Sequence, residues 1–320
     1  MSSAKITKII KENKRFLIAT HVNPDADALS SQLAMALYLK HLGKKVYVIN
    51  ADAAPARFHF IPEIHLVEKL KDDIHLEYDV AVILDCGDID RIDQVKRLIQ
   101  NDTMIINIDH HLTNTQFGDA NLVNHKACST AEVLFLLFQQ FKFRLTREIA
   151  ILLYLGIMTD TGSFRYDSTT AYTHYVVSEL MKFKFSISDL YRKMYEHVPL
   201  EDLKLFTRIV NRFERLYGGR VVCIEMKKRV IEKFSSEFDV KDKIFSFLRA
   251  IKGVEVIIIL TENARHVTRV NLRSQGEKVN VAEIAASFNG GGHRKASGCV
   301  IHEDFAKAKV KILSALEKVL

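Results

Sequence analysis

The sequence lacks the features that mark secreted, membrane-spanning and disordered proteins. Its four cysteines are far apart and form no Cys-x-x-Cys pair, which argues against a disulfide framework and a zinc ribbon. No apolar run reaches the length of a membrane span. The N-terminal residues also lack the apolar core of a signal peptide. We therefore expect a cytoplasmic protein with reduced thiols.

The composition is that of a folded protein with room for two ordinary domains. The chain has 320 residues, of which 48% are hydrophobic and 27% are charged, and this balance argues against intrinsic disorder. The formal net charge is +7, which mildly favours an anionic ligand.

Strand and helix patterns alternate in the N-terminal part of the chain. The order of strand, loop, helix and strand over residues 16–50 predicts a βαβ unit of a parallel sheet. Residues 79–85 form an apolar run that ends in an acid, which is typical of a central parallel strand buried on both faces. Ser129 and Glu132 predict a capping box at the start of a helix. The predicted strands are 16–20, 45–50, 79–85 and 103–108, and the predicted helices are 3–15, 28–42, 92–100, 129–141 and one that Thr146 caps.

The pattern changes after Phe185, so we expect an α/β protein with a larger N-terminal domain and a smaller C-terminal α/β domain. The predicted boundaries are 1–188 for the first domain, 189–216 for a helical connection and 217–320 for the second domain. In the second domain we predict strands at 220–226, 254–260, 267–272 and 299–301, a helix at 281–288, a glycine loop at 290–293 and a final helix.

Acidic residues and histidines follow the apolar elements of the first domain. Three groups end predicted strands and one follows a helix: His21 with Asp25 and Asp27; Asp85; Asp109 with His110 and His111; and Asp160. Ligands of open α/β sheets bind outside the carboxyl ends of the strands, so these side chains should meet at one edge. Carboxylates crowded in a partly desolvated cleft repel each other unless cations neutralise them. Oxygen donors mixed with imidazole suit Mn²⁺, with Mg²⁺ as the alternative.

Each of these residues also has an ordinary structural explanation when it is taken alone. Asp25 or Asp27 is typical of a helix cap, and Asp160 before Thr-Gly is typical of a turn. His110 and His111 could be a hydrogen-bonded pair. The metal-site interpretation depends on all four groups occurring together at matching places in one domain.

The second domain offers an anion-binding pattern. Gly290-Gly291-Gly292 can form a nest of backbone amides, although glycine clusters also mark plain turns. Upstream, Arg269, Asn271 and Arg273 alternate with apolar residues, so they share one face of a strand. A solvated charged face is the alternative.

These motifs together resemble the DHH phosphoesterase family, which is named for the Asp-His-His stretch. The motifs are His21-x-x-x-Asp25-x-Asp27-Ala28, Asp85 after an apolar strand, Asp109-His110-His111, Asp160 within the segment 156–164, and the Gly-Gly-Gly-His-Arg-Lys-Ala-Ser-Gly segment 290–298. The last resembles the signature of the DHH-associated domain, and the resemblance spans almost the whole chain.

The resemblance implies a role for each residue of the motifs. His21, Asp25 and Asp85 would hold one Mn²⁺, and Asp27, Asp85, His110 and Asp160 would hold the other. His111 would face the substrate phosphate, with Asp109 orienting a histidine. The second domain would lie across a cleft and bind the nucleotide through Arg269, Arg273, His293, Arg294, Gly291 and Gly292, since arginine forks suit phosphate.

Within the family, the two-domain length resembles hydrolases of short oligoribonucleotides and of 3′-phosphoadenosine 5′-phosphate (pAp). The expected reaction is in-line attack on phosphorus assisted by two metal ions. We expect no long duplex nucleic acid and no membrane as partners, and the resemblance leaves a homodimer open. The alternative enzyme is a phosphodiesterase of cyclic di-AMP or its linear product pApA, and the alternative of another class is a nucleotide-binding regulator without catalysis.

Overall fold

The chain separates into two units in the computed structural model, which describes residues 2–320. The first unit is Met1–Glu196 and the second is His197–Leu320. The predicted helical connection, residues 189–216, spans this boundary. Of the helices in residues 2–320, none combines the length and the apolar character needed to cross a membrane.

The first unit is built on a six-stranded sheet in which every strand pairing is parallel. Its strands are β1 (Arg15–Ala19), β2 (Lys45–Asn50), β3 (Val67–Lys69), β4 (Val80–Leu84), β5 (Met104–Asp109) and β6 (Ala120–Val123). Its helices are α1 (Ser2–Glu12), α2 (Ala26–His41), α3 (Thr130–Gln140), α4 (Arg147–Asp160), α5 (Ala171–Met181) and α6 (Ile187–Tyr191), followed by a π-helical turn at Arg192–Glu196.

The strand order β3-β2-β1-β4-β5-β6 places the topological switch point between β1 and β4. The chain leaves β1 towards β2 on one side and later returns to β4 on the other, so a crevice opens at the carboxyl ends of these strands. Strand β4 is buried at all five positions, as its unbroken apolar run predicts. The parallel α/β prediction for the first domain is confirmed.

Two predicted details of the first unit are wrong. Residues 92–100 do not form an α-helix, because Ile89–Leu98 is 3₁₀-helical and is interrupted at Asp93, whose φ is +50°. The capping box at α3 is only half formed. The Ser129 hydroxyl accepts from the Glu132 amide, but the Glu132 carboxylate accepts from Cys128 and Thr173 instead of returning to the cap.

The second unit contains a mixed six-stranded sheet in the order β11-β12-β10-β9-β8-β7. Its strands are β7 (Glu214–Leu216), β8 (Val221–Met226), β9 (Val256–Ala264), β10 (Val267–Ser274), β11 (Gly291–His293) and β12 (Ala296–Ile301). Its helices are α7 (Leu200–Val210), α8 (Lys228–Ile231), α9 (Val240–Leu248), α10 (Val281–Ala286) and α11 (Phe305–Glu317).

Apolar side chains cover both faces of this second sheet. Helices α10 and α11 pack on the face that carries Val270 and Leu272. Helices α7 and α9 pack on the face that carries Ile257 and Ile259. Because successive residues of a strand point to opposite faces, the odd-numbered residues of β9 and β10 lie on the side of α9.

The predicted glycine loop is a strand. Residues 291–293 form β11 and pair with β12 in antiparallel register. A Cβ atom at residue 290 would lie 2.3 Å from the Gly298 carbonyl oxygen, and one at residue 292 would lie 2.5 Å from the Ala296 carbonyl oxygen. Glycine at 290 and 292 is thus explained by the close approach of two backbones, whereas a Cβ at 291 would meet open space.

Candidate metal centre

The carboxyl ends of three neighbouring strands supply the core of the site. His21 follows β1, Asp85 follows β4, and Asp109 ends β5. Because β1, β4 and β5 are adjacent and parallel, these side chains meet at one edge of the sheet. Helix α2 begins after its N-cap Asp25 and carries Asp27 in its first turn, and Asp160 is the last residue of α4.

The six predicted metal ligands of the first unit, together with His111, lie in three overlapping groups. Each group brings one donor atom per residue within 4.8 Å of the others: His21, Asp25 and Asp85; Asp27, His110 and Asp160; and Asp85, His110 and His111. His21 Nε2 lies 3.6 Å from Asp85 Oδ2, and His110 Nε2 lies 3.1 Å from Asp160 Oδ2. The second oxygen of Asp85 lies 3.6 Å from His110 Nε2, so Asp85 joins the first group to the second.

The first turn of α3 holds Asp27 in place. The backbone amides of Thr130 and Ala131 donate to the two Asp27 oxygens at 2.8 and 3.1 Å. Amides at a helix N-terminus carry partial positive charge, which favours a carboxylate there. Helix α4 approaches the same carboxylate at Gly156, where a Cβ atom would lie only 2.3 Å from Asp27 Oδ1.

Asp85 is fixed by its backbone and by a hydroxyl group. Its φ of +53° is unusual for a residue with a side chain, and its amide donates to the Ile108 carbonyl at 3.0 Å. The Thr130 hydroxyl donates to Asp85 Oδ1 at 2.8 Å. Strained backbone of this kind clusters at functional sites, where the surrounding structure enforces it.

A hydrogen-bond chain orients His111. Its Nδ1 forms a hydrogen bond with Asp109 Oδ1 at 2.7 Å, and Asp109 Oδ2 accepts from the side-chain Nδ2 of Asn114 at 2.6 Å. Burial disfavours the charged ring, but the hydrogen bond and charge of Asp109 outweigh it and raise the pKa of His111 to about 9. The same contact, acting against burial, lowers the pKa of Asp109. Asp109 therefore contacts His111, as a residue that orients a histidine would.

The electrostatics of the cluster fit a cation. Burial and the charges of Asp85 and Asp160 raise the pKa of Asp27 well above its usual range. The pKa of Asp160 is raised in the same way, by burial and by the charges of Asp25 and Asp85. Burial also opposes ionisation of Asp85, but the hydrogen bond to His21 and the charges of the histidines lower its pKa. Carboxylates that disfavour each other's charge beside imidazole rings are a donor set for divalent ions, so these residues fit the metals that the sequence predicts.

Three residues of the site were not predicted from the sequence. Thr130 lay within the predicted cap of α3, Asn114 within a polar stretch, and Gly156 within an apolar helix. Their contacts join elements that are distant in the chain, and the bond between Thr130 and Asp27 spans 103 residues. Gly156 carried the one available signal, because an isolated glycine inside a helix indicates a close approach.

The predicted nucleotide-binding residues lie on β10, β11 and the turn after β11. The predicted alternation on β10 is confirmed, since Val270 and Leu272 are buried between more exposed residues. Arg269 is exposed, whereas Arg273 lies with Cζ 4.9 Å from the centroid of the Phe245 ring. The Arg294 guanidinium is engaged by Glu277, with Nε 3.6 Å from Oε2. Gly291 and His293 belong to β11, and the side chain of His293 lies outside the described residues.

Comparison with known proteins identifies two family regions. Residues 15–157 match the DHH family, N-terminal domain, and residues 226–320 match the DHHA1 domain. A Streptococcus mutans protein named probable bifunctional oligoribonuclease and PAP phosphatase NrnA is 30% identical over 292 residues, which cover 90% of both chains. A Thermus thermophilus protein named bifunctional oligoribonuclease and PAP phosphatase NrnA is 31% identical, and the matched region covers 95% of this chain and 89% of that one.

A solved structure shares the fold over nearly the whole chain. It is the crystal structure of an exopolyphosphatase-related protein from Bacteroides fragilis, with a TM-score of 0.91 and 28% sequence identity. The match covers 99% of this chain and 96% of that protein.

Proposed function

Since the chain belongs to the DHH family of phosphoesterases, we propose that it hydrolyses phosphoester bonds in short oligoribonucleotides and in pAp. The observation that carries the proposal is the set of three overlapping donor groups that the carboxyl ends of β1, β4 and β5 form with residues of α2 and α4. The choice of substrates is supported by the names of the Streptococcus and Thermus relatives, which match over about nine-tenths of this chain or more.

The proposed metals are two Mn²⁺ ions, because mixed carboxylate and imidazole donors suit manganese better than magnesium. His21, Asp25 and Asp85 would hold one ion, and Asp27, His110 and Asp160, with Asp85 shared, would hold the other. When bound, the ions would neutralise charge on the scissile phosphate and lower the pKa of a water molecule.

The chain's own groups would position the reacting phosphate. His111 is held by Asp109 through Nδ1, so Nε2 is the ring atom through which it would contact a phosphate oxygen. The Thr130 hydroxyl and the α3 amides would keep Asp85 and Asp27 from rotating when substrate arrives. Fixed groups of this kind accelerate in-line displacement, because they need no reorganisation in the transition state.

The second unit would bind the remainder of the nucleotide. Of the proposed residues Arg269, Arg273, His293, Arg294, Gly291 and Gly292, Arg269 has the strongest support. It is exposed, and among the residues that the structure describes no carboxylate pairs with it. Arg294 would first have to leave Glu277.

The proposal is tested by offering the manganese-loaded protein several substrates in parallel. They are pAp, 5′-labelled single-stranded RNAs from dinucleotides to long strands, a long RNA duplex, cyclic di-AMP and pApA. We expect rapid turnover of pAp and of RNAs up to about pentanucleotides, and little turnover of long strands or of the duplex. Faster turnover of cyclic di-AMP than of pAp and short RNA would instead assign the protein to second-messenger hydrolysis.

Asp85→Asn provides the matched test of the centre, because it keeps the shape of the side chain and removes the shared charge. We expect it to abolish Mn²⁺ binding in at least one site and to reduce turnover by at least about 1,000-fold. Asp73→Asn is the control, since Asp73 is exposed and belongs to none of the three donor groups. Absence of hydrolysis of every substrate by the parent protein would refute the proposed activity.

A further inference from the structure

Three polar side chains lie in the core of the first unit, on three different elements. Thr20 follows β1 and precedes His21, Gln32 lies in α2, and Asn50 ends β2. Thr20 is 1% exposed, and Gln32 and Asn50 are fully buried. Polar groups taken out of water cost free energy unless hydrogen bonds compensate for the loss. These three residues form the buried network, and its hydrogen bonds show what it holds together.

The side-chain amides of Gln32 and Asn50 pair with each other. Gln32 Nε2 donates to Asn50 Oδ1 at 2.8 Å, and Asn50 Nδ2 donates to Gln32 Oε1 at 2.9 Å. Helix α2 begins after its N-cap Asp25 and carries Asp27 in its first turn. Two reciprocal bonds fix both a distance and an orientation, so the pair sets where this helix stands against β2.

Asn50 also holds the backbone just before His21. The regular pairing of β1 with β2 ends at Ile18 and Val48. Two residues further along both strands, Asn50 Oδ1 accepts from the Thr20 amide at 3.2 Å. A side-chain bond thus continues the link between the strands after the backbone ladder has ended, and it satisfies a buried amide.

The Thr20 hydroxyl makes the corresponding link on the other side of β1. The regular pairing of β1 with β4 ends at Ala19 and Ile83, and Thr20 Oγ1 donates to the Leu84 carbonyl at 2.7 Å. Leu84 directly precedes Asp85, whose φ is +53°. Thr20 therefore ties the exit from β1 to the exit from β4, at the switch point where the two strands separate.

The loop after Thr20 converts this backbone position into the position of a ligand atom. The Asn23 amide donates to Asp52 Oδ2 at 2.8 Å, which holds the loop beyond His21. His21 Nδ1 lies 2.8 Å from the Val22 carbonyl oxygen and can only donate to it. That leaves Nε2, 3.6 Å from Asp85 Oδ2, as the ring atom free to bind a metal.

We propose that the buried network positions the metal centre by setting the spacing among His21, Asp27 and Asp85. Its members act through the backbone and are positioning residues. Apolar side chains of similar shape could fill the same space with little loss of stability, so stability alone does not account for the network. A buried network with satisfied bonds specifies one arrangement, and a metal centre needs ligands held within about 0.5 Å. The proposal rests on the proposed function in treating this centre as the catalytic site.

The test compares Asn50→Leu with the parent as full-length proteins. Leucine keeps the branched shape and removes every bond that the Asn50 side chain makes to Thr20 and Gln32. We expect the Kd for Mn²⁺, measured by calorimetry, to rise about tenfold or more, as it does when the support of metal ligands is lost. At saturating Mn²⁺, kcat for pAp should fall about tenfold or more while KM stays within about twofold, because displaced ligands impair the chemical step more than substrate binding.

Leu39→Ala is the matched control for a loss of stability. Leu39 is fully buried on the same helix as Gln32, and it lies about 18 Å along that helix from Asp27, at about 1.5 Å per residue. The cavity that alanine leaves should lower the Tm, whereas Mn²⁺ affinity and kcat should match the parent. The proposal is overturned if Asn50→Leu behaves in the same way, with a lower Tm and parental Mn²⁺ binding and kcat.

Combining Asn50→Leu with Gln32→Met separates stability from positioning. The second change removes the Gln32 amide that the first leaves unpaired, so the Tm should recover in part. Mn²⁺ affinity should stay low, because α2 and β1 are still without their links to β2. Recovery of Mn²⁺ affinity together with the Tm would also overturn the proposal.

Thr20→Val gives a second, milder variant in case Asn50→Leu does not fold. Valine keeps the shape of the side chain and removes its bond to the Leu84 carbonyl. Mn²⁺ binding should weaken about tenfold, and Thr20→Ser, which keeps the hydroxyl group, should bind Mn²⁺ more tightly than Thr20→Val. Equal Mn²⁺ affinity in both variants and the parent would contradict a positioning role.

Metal binding and hydrolysis are measured separately so that the two proposals can fail independently. If the parent hydrolyses no substrate but its Mn²⁺ affinity still depends on Asn50 and Thr20, the proposed function fails and the positioning network stands. If the parent hydrolyses pAp and short RNA while Asn50→Leu and Thr20→Val keep parental Mn²⁺ affinity and kcat, the network fails and the function stands.

Discussion

Replacing Gly156 with alanine tests whether the packing of α4 against Asp27 determines the geometry of the metal centre. A Cβ at this residue would lie 2.3 Å from Asp27 Oδ1 and 2.6 Å from the Ala131 Cβ. Ordinary contacts are about 3.3 Å between carbon and oxygen and about 3.5 Å between carbons. The added methyl group must therefore displace Asp27, or the first turn of α3 that holds it, by about 1 Å.

The effect on activity should be much larger than the effect on stability. A displacement of about 1 Å in a catalytic site can cost about 100-fold in rate, and disturbed support of metal ligands lowers metal affinity about 10–100-fold. Overpacking destabilises by about 1–3 kcal/mol. Alanine is favoured over glycine within a helix by about 1 kcal/mol, which offsets part of that loss.

The assay measures Mn²⁺ binding by calorimetry, kcat with pAp and the free energy of unfolding for Gly156→Ala. Gly87→Ala is the matched control, because it adds the same methyl group beside the same centre with its nearest contact at an ordinary 3.6 Å, to the Cβ of His111. We expect the control to keep both metal affinity and kcat. Parental Mn²⁺ affinity together with kcat within about twofold of the parent in Gly156→Ala would refute the reasoning.

Three further predictions concern a hydroxyl group, an ion pair and the metal ions. Thr130→Val should leave Asp85 Oδ1 without its 2.8 Å hydrogen bond and lower Mn²⁺ affinity about 10-fold or more. Thr130→Ser keeps the hydroxyl group and should keep the parental Mn²⁺ affinity, which metal titration of both variants measures. The Arg15 hydrogen bonds lower the pKa of Asp79, so its stabilising contribution is present above the unfolded pKa of about 3.9 and is lost as pH falls through the lower folded value. Asp79→Asn should therefore lower both the Tm and the free energy of unfolding at neutral pH, the latter by about 1 kcal/mol after allowance for solvent exposure. At strongly acidic pH the variant should be as stable as the parent. Mn²⁺ at 100 times its Kd should stabilise the protein by about 2.7 kcal/mol in thermal unfolding, and a chelator should remove this gain; an unchanged Tm would contradict a resident metal.

Periodicity made most of the fold predictable from the sequence. The strands that precede His21, Asp85 and Asp109 are short apolar runs, and the N-caps of α2 and α4 are the short polar residues Asp25 and Thr146. These signals are local, because burial on both faces of a strand and satisfaction of the first amides of a helix involve neighbouring residues. The predictions failed where a local pattern fitted two conformations, as in the 3₁₀ segment Ile89–Leu98 and the strand at 291–293.

The sequence by itself determined which residue types stand at the ends of β1, β4 and β5, and hence that a cluster of acids and histidines forms there. A rule of parallel sheets is enough for that step, since the carboxyl ends of adjacent strands share one edge. Only the tertiary structure decided what holds the cluster and what else the chain brings together. Thr130 reaches Asp27 across 103 residues of sequence, and Arg273 lies over the Phe245 ring because α9 packs on one face of the second sheet. Such contacts depend on which elements pack against each other, and that outcome is set by the burial of many apolar side chains together rather than by any local pattern.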